Sequence, residues 1–445
     1  MNFCNDFCSS IRGNFRECLT TPLNKKKALT FGGVIIVVII IIIIIAVSVQ
    51  RTSTPAEPKG SDVIKNHPFV LGGNSMSDLI KKNYRNLING QDLDKLIAPG
   101  HATISELLQG KVAAQVWDLG ASDCVKSQYH DAVSQTLDQI DLLTRIIQLN
   151  GNFSLITKSA DINKAKNLKK LGSILRVDGG YTLDAKLSIL RTYYNLGVRI
   201  LAITGNCDNP WSKSVYNTNA NHTNTTLEDF GKTIIKEMSR LGMIIDISGA
   251  IKATQLDILT AATTNNISVL LSRSGSKEVA DNVNNVDKEV LAKLKQNGGL
   301  LMLSLDQKQV CGNTKNCTIH EVIVHLNKLR ELLDVTNIGI GADFGDKDGK
   351  YPNDLDDPTK FGVLFDRLLT MNSLNGSKSW NAKDLKMLAG ENFINLFKKV
   401  EEVAIKNAAE KPIEDLMAED KFPKPVINAT TTCYSDLDER YPKKI

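Results

Sequence analysis

The run from Met243 to Ser272, MIIDISGAIKATQLDILTAATTNNISVLLS, carries the pattern that decides the fold. Met243–Ser248 and Ile267–Ser272 are short, almost continuous apolar segments, and Ile251–Ala262 between them repeats apolar residues at helical spacing. A strand that is apolar throughout is covered on both faces, as parallel strands are beneath their crossover helices. The alternation continues in both directions. Further strands are expected at Phe69–Gly73, Lys111–Leu119, Gly172–Asp178, Val198–Thr204, Gly299–Leu305 and Asn337–Ala342. Further helices are expected at Ser77–Ile88, His130–Leu149, Leu183–Asn195, Thr226–Leu241, Asp287–Gln296, Ile319–Leu333 and Phe361–Met371. Eight strands alternating with helices predict an α/β fold, a (β/α)8 TIM-like barrel. A doubly wound open sheet is the alternative, but no Gly-X-Gly-X-X-Gly turn follows the first strand.

The 445 residues are 42% hydrophobic and 23% charged, which excludes a mainly disordered chain. The formal charge is +5. Arg12, Arg16, Lys25, Lys26 and Lys27, set against Asp6 and Glu17, carry most of it, so the remainder has no electrostatic footprint for nucleic acid.

Residues 29–49 form an apolar run that includes seven consecutive isoleucines, Ile39 to Ile45. At about 1.5 Å per residue a helix of that length spans a hydrocarbon layer of roughly 30 Å. Lys25–Lys27 precede it and only Arg51 closely follows, which places the N-terminus in the cytosol and the rest outside. The expected organisation is a cytosolic tail (1–28), a single transmembrane signal anchor (29–49), a stalk (50–65), the barrel (66–415) and a C-terminal tail (416–445). That organisation predicts a type II cell-membrane protein. Seven sequons, at Asn152, Asn221, Asn224, Asn266, Asn316, Asn375 and Asn428, agree with an extracellular glycoprotein. Cys4, Cys8 and Cys18 would be cytosolic, either palmitoylated or plain thiols. Cys124, Cys207, Cys311, Cys317 and Cys433 would lie in an oxidising space, and five is an odd number.

Such a barrel works at the C-terminal ends of its strands. Here those ends are Gly73-Asn-Ser75, Asp178-Gly-Gly180, Gly205-Asn-Cys207, Gly249-Ala250, Arg273-Ser-Gly275 and Asp343-Phe-Gly-Asp346. None contains histidine. Two carboxylates, Asp178 and Asp343, are too few to hold zinc. The histidines of the chain (His67, His101, His130, His222, His320 and His325) read as ordinary polar residues. The acid-rich stretch from Asp343 to Asp354 lacks the spacing of a calcium loop and reads as solvated.

Several blocks, taken together and in order, resemble the membrane (renal) dipeptidases. They are Gly110–Trp117, Gln135–Asp141, Val177-Asp-Gly-Gly180, Leu196–Leu201, Asn206-Cys-Asp-Asn-Pro-Trp211, Gly231–Asp246 and Ile338–Phe344. The likeness runs from about Phe69 to Cys433. It implies a (β/α)8 barrel, two zinc ions and dipeptide hydrolysis, with the paired metals activating a water and polarising the scissile carbonyl. Family zinc ligands are a His-X-Asp pair, a bridging Glu and two later histidines. They fall here on Gly73, Ser75, Asp178, Gly249 and Arg273. The substrate histidine falls on Gly205 and the substrate-binding arginine near Asn284, while a late family Asp survives as Asp343.

The resemblance therefore implies a divergent member, a pseudoenzyme whose zinc site and peptidase activity are lost and which needs no cofactor. Arg273 would take the place of the metal as counter-charge to Asp178 and Asp343. The glycines at 73, 205 and 249 would open volume at the mouth. The resemblance also implies a Cys124–Cys207 disulfide, a local Cys311–Cys317 bond, and an interchain Cys433 joining a homodimer. The expected role is binding of an unknown extracellular ligand, as receptor, adhesion or scaffold protein. The alternative is an active zinc metallodipeptidase with altered ligands.

Overall fold

A computed structural model describes residues 38–42 and 59–417, except 101, 122, 218–225, 314–315, 343, 346–347 and 372–378. The chain divides into two compact units, Met1–Pro58 and Lys59–Ile445. In the first, 38–42 is helical with exposed side chains. The rest of the expected membrane span lies outside the described residues. Among the described residues no helix is long and apolar enough to cross a membrane.

The second unit is built on nine strands, among the described residues: β1 (Val70–Leu71), β2 (Ala114–Leu119), β3 (Phe153–Leu155), β4 (Leu171–Val177), β5 (Val198–Ala202), β6 (Ile244–Asp246), β7 (Leu270–Ser274), β8 (Leu300–Ser304) and β9 (Ile338–Ala342). Every pairing is parallel. β1 bonds to both β2 and β9, and β2 bonds to β4, so eight strands close into a ring and the open-sheet alternative falls. The ninth, β3, was not expected. It runs beside the first residues of β4, below the point where β5 takes over that edge.

The longer helices are α1 (Met76–Tyr84), α2 (Ala132–Leu149), α3 (Ser159–Asn167), α4 (Leu187–Asn195), α5 (Asp229–Leu241), α6 (Lys252–Thr264), α7 (Lys288–Asn297), α8 (Ile319–Leu332), α9 (Phe361–Thr370) and α10 (Asn392–Lys406). α1 stops four residues before the expected Ile88, because Arg85 and Asn86 turn into the left-handed region. Gly60–Asn66, across the expected boundary of stalk and barrel, is a helix with Val63 and Ile64 buried, and the Ser61 backbone N–H donates to Asp366 of α9 at 2.7 Å.

Side chains alternate along a strand, so residues two apart share a face. Ala114, Val116, Ile174, Ile200, Ile244, Leu270, Leu300 and Met302 form one buried cluster with Phe393, Leu396, Phe397 and Val400 of α10. This is the lower interior of the barrel with its floor. Asn392 at the start of α10 donates to the carbonyls of Val335 and Ile338, at the entry to β9. A larger cluster lies between the outer strand faces and the ring of helices. Continuing the inward rows of β2, β4, β6 and β7 one step up reaches Asp118, Arg176, Asp246 and Ser272, so on these strands the interior changes from apolar to polar and charged toward its mouth.

Candidate functional site

Arg176 stands at the centre of the upper interior and is fully buried. Its Nε donates to Asp246 Oδ2 at 2.7 Å, Nη1 to Asp118 Oδ1 at 2.7 Å and Nη2 to Asp178 Oδ1 at 3.0 Å. The register explains the contacts: Asp118 is the cross-strand partner of Arg176, and Asp178 lies two residues further along the same row. Arg273, at the end of β7, covers the group from above. Its Nη2 donates to Asp178 Oδ2 at 2.8 Å and to Asn206 Oδ1 at 3.4 Å, and Nη1 lies 3.5 Å from Asp118 Oδ2. Three carboxylates thus share two guanidiniums.

Burial alone would push the Asp178 carboxyl up, but Arg273 and Arg176 more than offset it and hold it below the usual carboxylate range. Asp246 behaves likewise: burial raises it, and Arg176 with the hydroxyls and backbone around Ser248 and Ser272 brings it down. Burial works against the charge on Arg176, and its three carboxylates reverse that, so it stays a cation. Breaking such a group leaves a charge buried without compensation, a cost of about 3–5 kcal/mol for a fully buried pair.

Above this layer opens a cavity of about 400 Å³ lined by Asn206, Tyr216, Ser248, Arg273, Asn284 and Gln309, with Gly249 beside them. Gly205 and Gly249 do not open this volume as expected. Both have positive φ, 72° and 80°. A Cβ on Gly205 would lie 2.6 Å from Gly179 Cα, and one on Gly249 would lie 2.7 Å from the Gly205 carbonyl oxygen. Backbone fills that space, and glycine is needed for the close approach.

Disulfides join Cys124 to Cys207 and Cys311 to Cys317. The first ties the segment after β2 to the one after β5, and the second holds the short helix Gln307–Cys311 that carries Gln309.

A profile of the membrane dipeptidase family, peptidase family M19, matches residues 59–411. Dipeptidase 3 of Homo sapiens is 32% identical over 397 residues, covering 86% of this chain and 76% of the relative. Dipeptidase 3 of Mus musculus is 32% identical over 384 residues, covering 84% and 71%. This chain belongs to the membrane dipeptidase family. Solved structures carry the same fold. A probable dipeptidase from Pseudomonas aeruginosa superposes with a TM-score of 0.66 at 14% identity, covering 78% of this chain and 98% of that one. A metallopeptidase from Rhodobacter sphaeroides liganded with a phosphinate mimic of the dipeptide L-Ala-D-Ala gives 0.63 at 17%, covering 75% and 99%.

The membrane dipeptidase resemblance implies zinc, and the side chains at the ligand positions do not fit it. Gly73 and Gly249 have no side-chain donor, and Ser75 offers only a hydroxyl. A guanidinium has no lone pair to give a metal. Both oxygens of Asp178 are engaged, Oδ1 by Arg176 and Oδ2 by Arg273 and Asn206. Among the described residues no three His, Cys, Asp or Glu side chains converge as a metal site.

The structure brings Asp178, Arg273, Gly205, Gly249 and Asn284 to one mouth. Asn74, between Gly73 and Ser75, bridges there to Phe344. Asp343 lies outside the described residues, as do Asp346, His101, His222, Cys4, Cys8, Cys18, Cys433 and the sequons Asn221, Asn224, Asn375 and Asn428. The sequons Asn152, Asn266 and Asn316 are exposed. Sequence reasoning missed Asp118, Arg176 and Asp246. Their signal was a charge inside an otherwise apolar strand, repeated in three strands.

Proposed function

We propose that this chain is a membrane-anchored surface glycoprotein whose dipeptidase-like barrel binds a ligand and does not hydrolyse one. In this reading it is a receptor, adhesion or scaffold protein, displayed outside the cell by an N-terminal anchor and paired with a second copy through Cys433. The observation that carries the reading is the Arg273 guanidinium on Asp178 at 2.8 Å. A cation that cannot coordinate metal occupies the carboxylate that the resemblance gives to bridging two of them. Hydrolysis by this family's route needs an activated metal-bound water, and these side chains supply no place for it.

The names of the relatives favour a second reading, an active zinc dipeptidase with replacement ligands. One experiment separates the two: metal analysis of the purified chain after incubation with zinc and dialysis, with hydrolysis of Ala-Ala followed beside it. The expected result is zinc well below one equivalent and no turnover above the Arg273→Ala control. Stoichiometric zinc together with turnover that a chelator abolishes overturns the binding reading.

A further inference from the structure

The mouth cavity has walls of an unusual kind. Asn206, Asn284 and Gln309 present carboxamides, Ser248 a hydroxyl, Arg273 the edge of a guanidinium and Tyr216 a phenol ring. None of these six is aliphatic, and the tyrosine is the one aromatic among them. Gln309 is 3% exposed, and its Nε2 is buried without a hydrogen-bond partner. A buried donor left unpaired is costly, and native proteins seldom keep one without a reason.

The backbone that carries this amide is held in place. The Gln309 backbone N–H donates to Asp306, which caps its helix, and its carbonyl accepts from Asn285 Nδ2 at 2.8 Å. The Cys311–Cys317 bond closes the same segment. Beside it, on the segment bonded to Gln309 through Asn285, the Asn284 carbonyl accepts from Ser274 Oγ at 2.6 Å and its N–H donates to Asn282, which fixes the backbone of a residue that lines the cavity. This is a preformed polar cup of a size that takes a small molecule.

Charge narrows the occupant. Beneath the cup three carboxylates outnumber two guanidiniums, which disfavours an anion. The wall itself carries Arg273, which disfavours a cation. Carboxamides offer a donor and an acceptor side by side, as each hydroxyl of a sugar does. A single half-exposed ring, Tyr216, gives one apolar face, too little to sandwich a flat aromatic base. A pyranose has one face of C–H groups and a rim of hydroxyls, and this combination matches the cup.

We propose that the mouth cavity binds one neutral saccharide residue, its hydroxyls paired with the amides of Gln309 and Asn284 and its C–H face on Tyr216. The inference deepens the non-hydrolytic reading of the site and rests on it. A ligand hydroxyl accepts from Gln309 Nε2 and completes the one buried donor of the cup that the protein leaves unpaired.

The test uses the full chain in a sugar-free detergent. The methyl glycosides of glucose, mannose, galactose and N-acetylglucosamine are titrated by calorimetry and thermal shift, with Ala-Ala and adenosine as competitors of other classes. At least one glycoside gives saturable binding, and each of Gln309→Met and Asn284→Ala weakens it at least roughly tenfold, the worth of one lost hydrogen bond in a closed site. Without ligand, Gln309→Met keeps or raises the melting temperature, because it removes an unpaired buried donor. Absence of saturable glycoside binding overturns the proposal. It falls equally if Ala-Ala or adenosine binds more tightly, or if both variants bind sugar as wild type does. Zinc-dependent turnover of Ala-Ala in the same preparation refutes the non-hydrolytic reading, whereas no turnover and no glycoside binding refutes the ligand class alone.

Discussion

Arg176 turns all three edges of its guanidinium toward carboxylates, and Arg273 shields one of them from the mouth. The two arginines differ in what they hold together. Among the described residues Arg176 is the only cation paired with Asp246, so Arg176→Met leaves a buried charge with hydroxyl and backbone partners alone. Arg273 is 17% exposed at its side chain, and without it Asp178 keeps Arg176 and Asn206. Arg273→Ala is therefore expected to cost about 2–3 kcal/mol, below the full penalty for a broken buried pair. Arg176→Met is expected to cost about 4 kcal/mol or more on the same scale. Denaturant unfolding of the purified variants gives both numbers. An unchanged midpoint for Arg273→Ala would mean that its contact with Asp178 contributes nothing. At this scale the sequence disclosed Arg273, because a charge stood where a known motif has a ligand. It concealed Arg176, because a lone arginine in LGSILRV looks like an interruption until the inward row of each strand is followed upward.

The elements were legible where periodicity is long and obscure where it is short. The eight barrel strands follow from repeated apolar runs beside amphipathic helices. Phe153–Leu155 has three residues, too few for any period to emerge, and becomes a strand because the first residues of β4 have a free edge. α10 carries Phe393, Leu396, Phe397 and Val400 at helical spacing, but the eightfold alternation ends before it. Its reason is tertiary: the lower interior needs a floor. Another tertiary contact joins the loop after β7 to α8. His325 Nε2 accepts the Ser276 backbone N–H at 2.8 Å, and Nδ1 faces the Val310 carbonyl at 3.4 Å, so the ring is a neutral strut with its proton on Nδ1. Burial pushes its pKa down to about 4, against a smaller upward pull from that carbonyl. A group with a depressed native pKa contributes its stability in full above the unfolded value of 6.5 and loses it as the pH falls toward 4. A gap of that size corresponds to about 3 kcal/mol at 1.36 kcal/mol per unit. Unfolding free energy is expected to decline across that window, and His325→Gln to flatten the decline at the cost of a lower starting value. Asp178 and Asp246 also have depressed pKa values, but their contribution is lost only below the ordinary carboxylate range, so the two phases separate. A decline of the same steepness in His325→Gln would assign it elsewhere.

The whole chain joins a folded barrel to segments whose meaning is chemical rather than geometric. The membrane-anchor reading rests on the apolar run and on Lys25–Lys27, and no packing argument reaches it. The cysteine arithmetic does connect to the fold. Five cysteines follow the apolar run, and the structure closes four of them into Cys124–Cys207 and Cys311–Cys317. Cys433 remains, in a segment that begins where Met417 is still buried against the barrel. In the proposed orientation Cys433 would lie in an oxidising compartment, where it would meet its own copy at high local concentration because one membrane would confine both chains to a plane. A non-reducing gel of the full chain, alkylated before lysis, is expected to run as a dimer that reductant converts to monomer. Cys433→Ser is expected to run as monomer under both conditions and to keep the wild-type melting temperature. A dimer that persists in Cys433→Ser without reductant would move the link to Cys4, Cys8 or Cys18. That result would also place the N-terminal tail in an oxidising space, against the orientation inferred from the lysines.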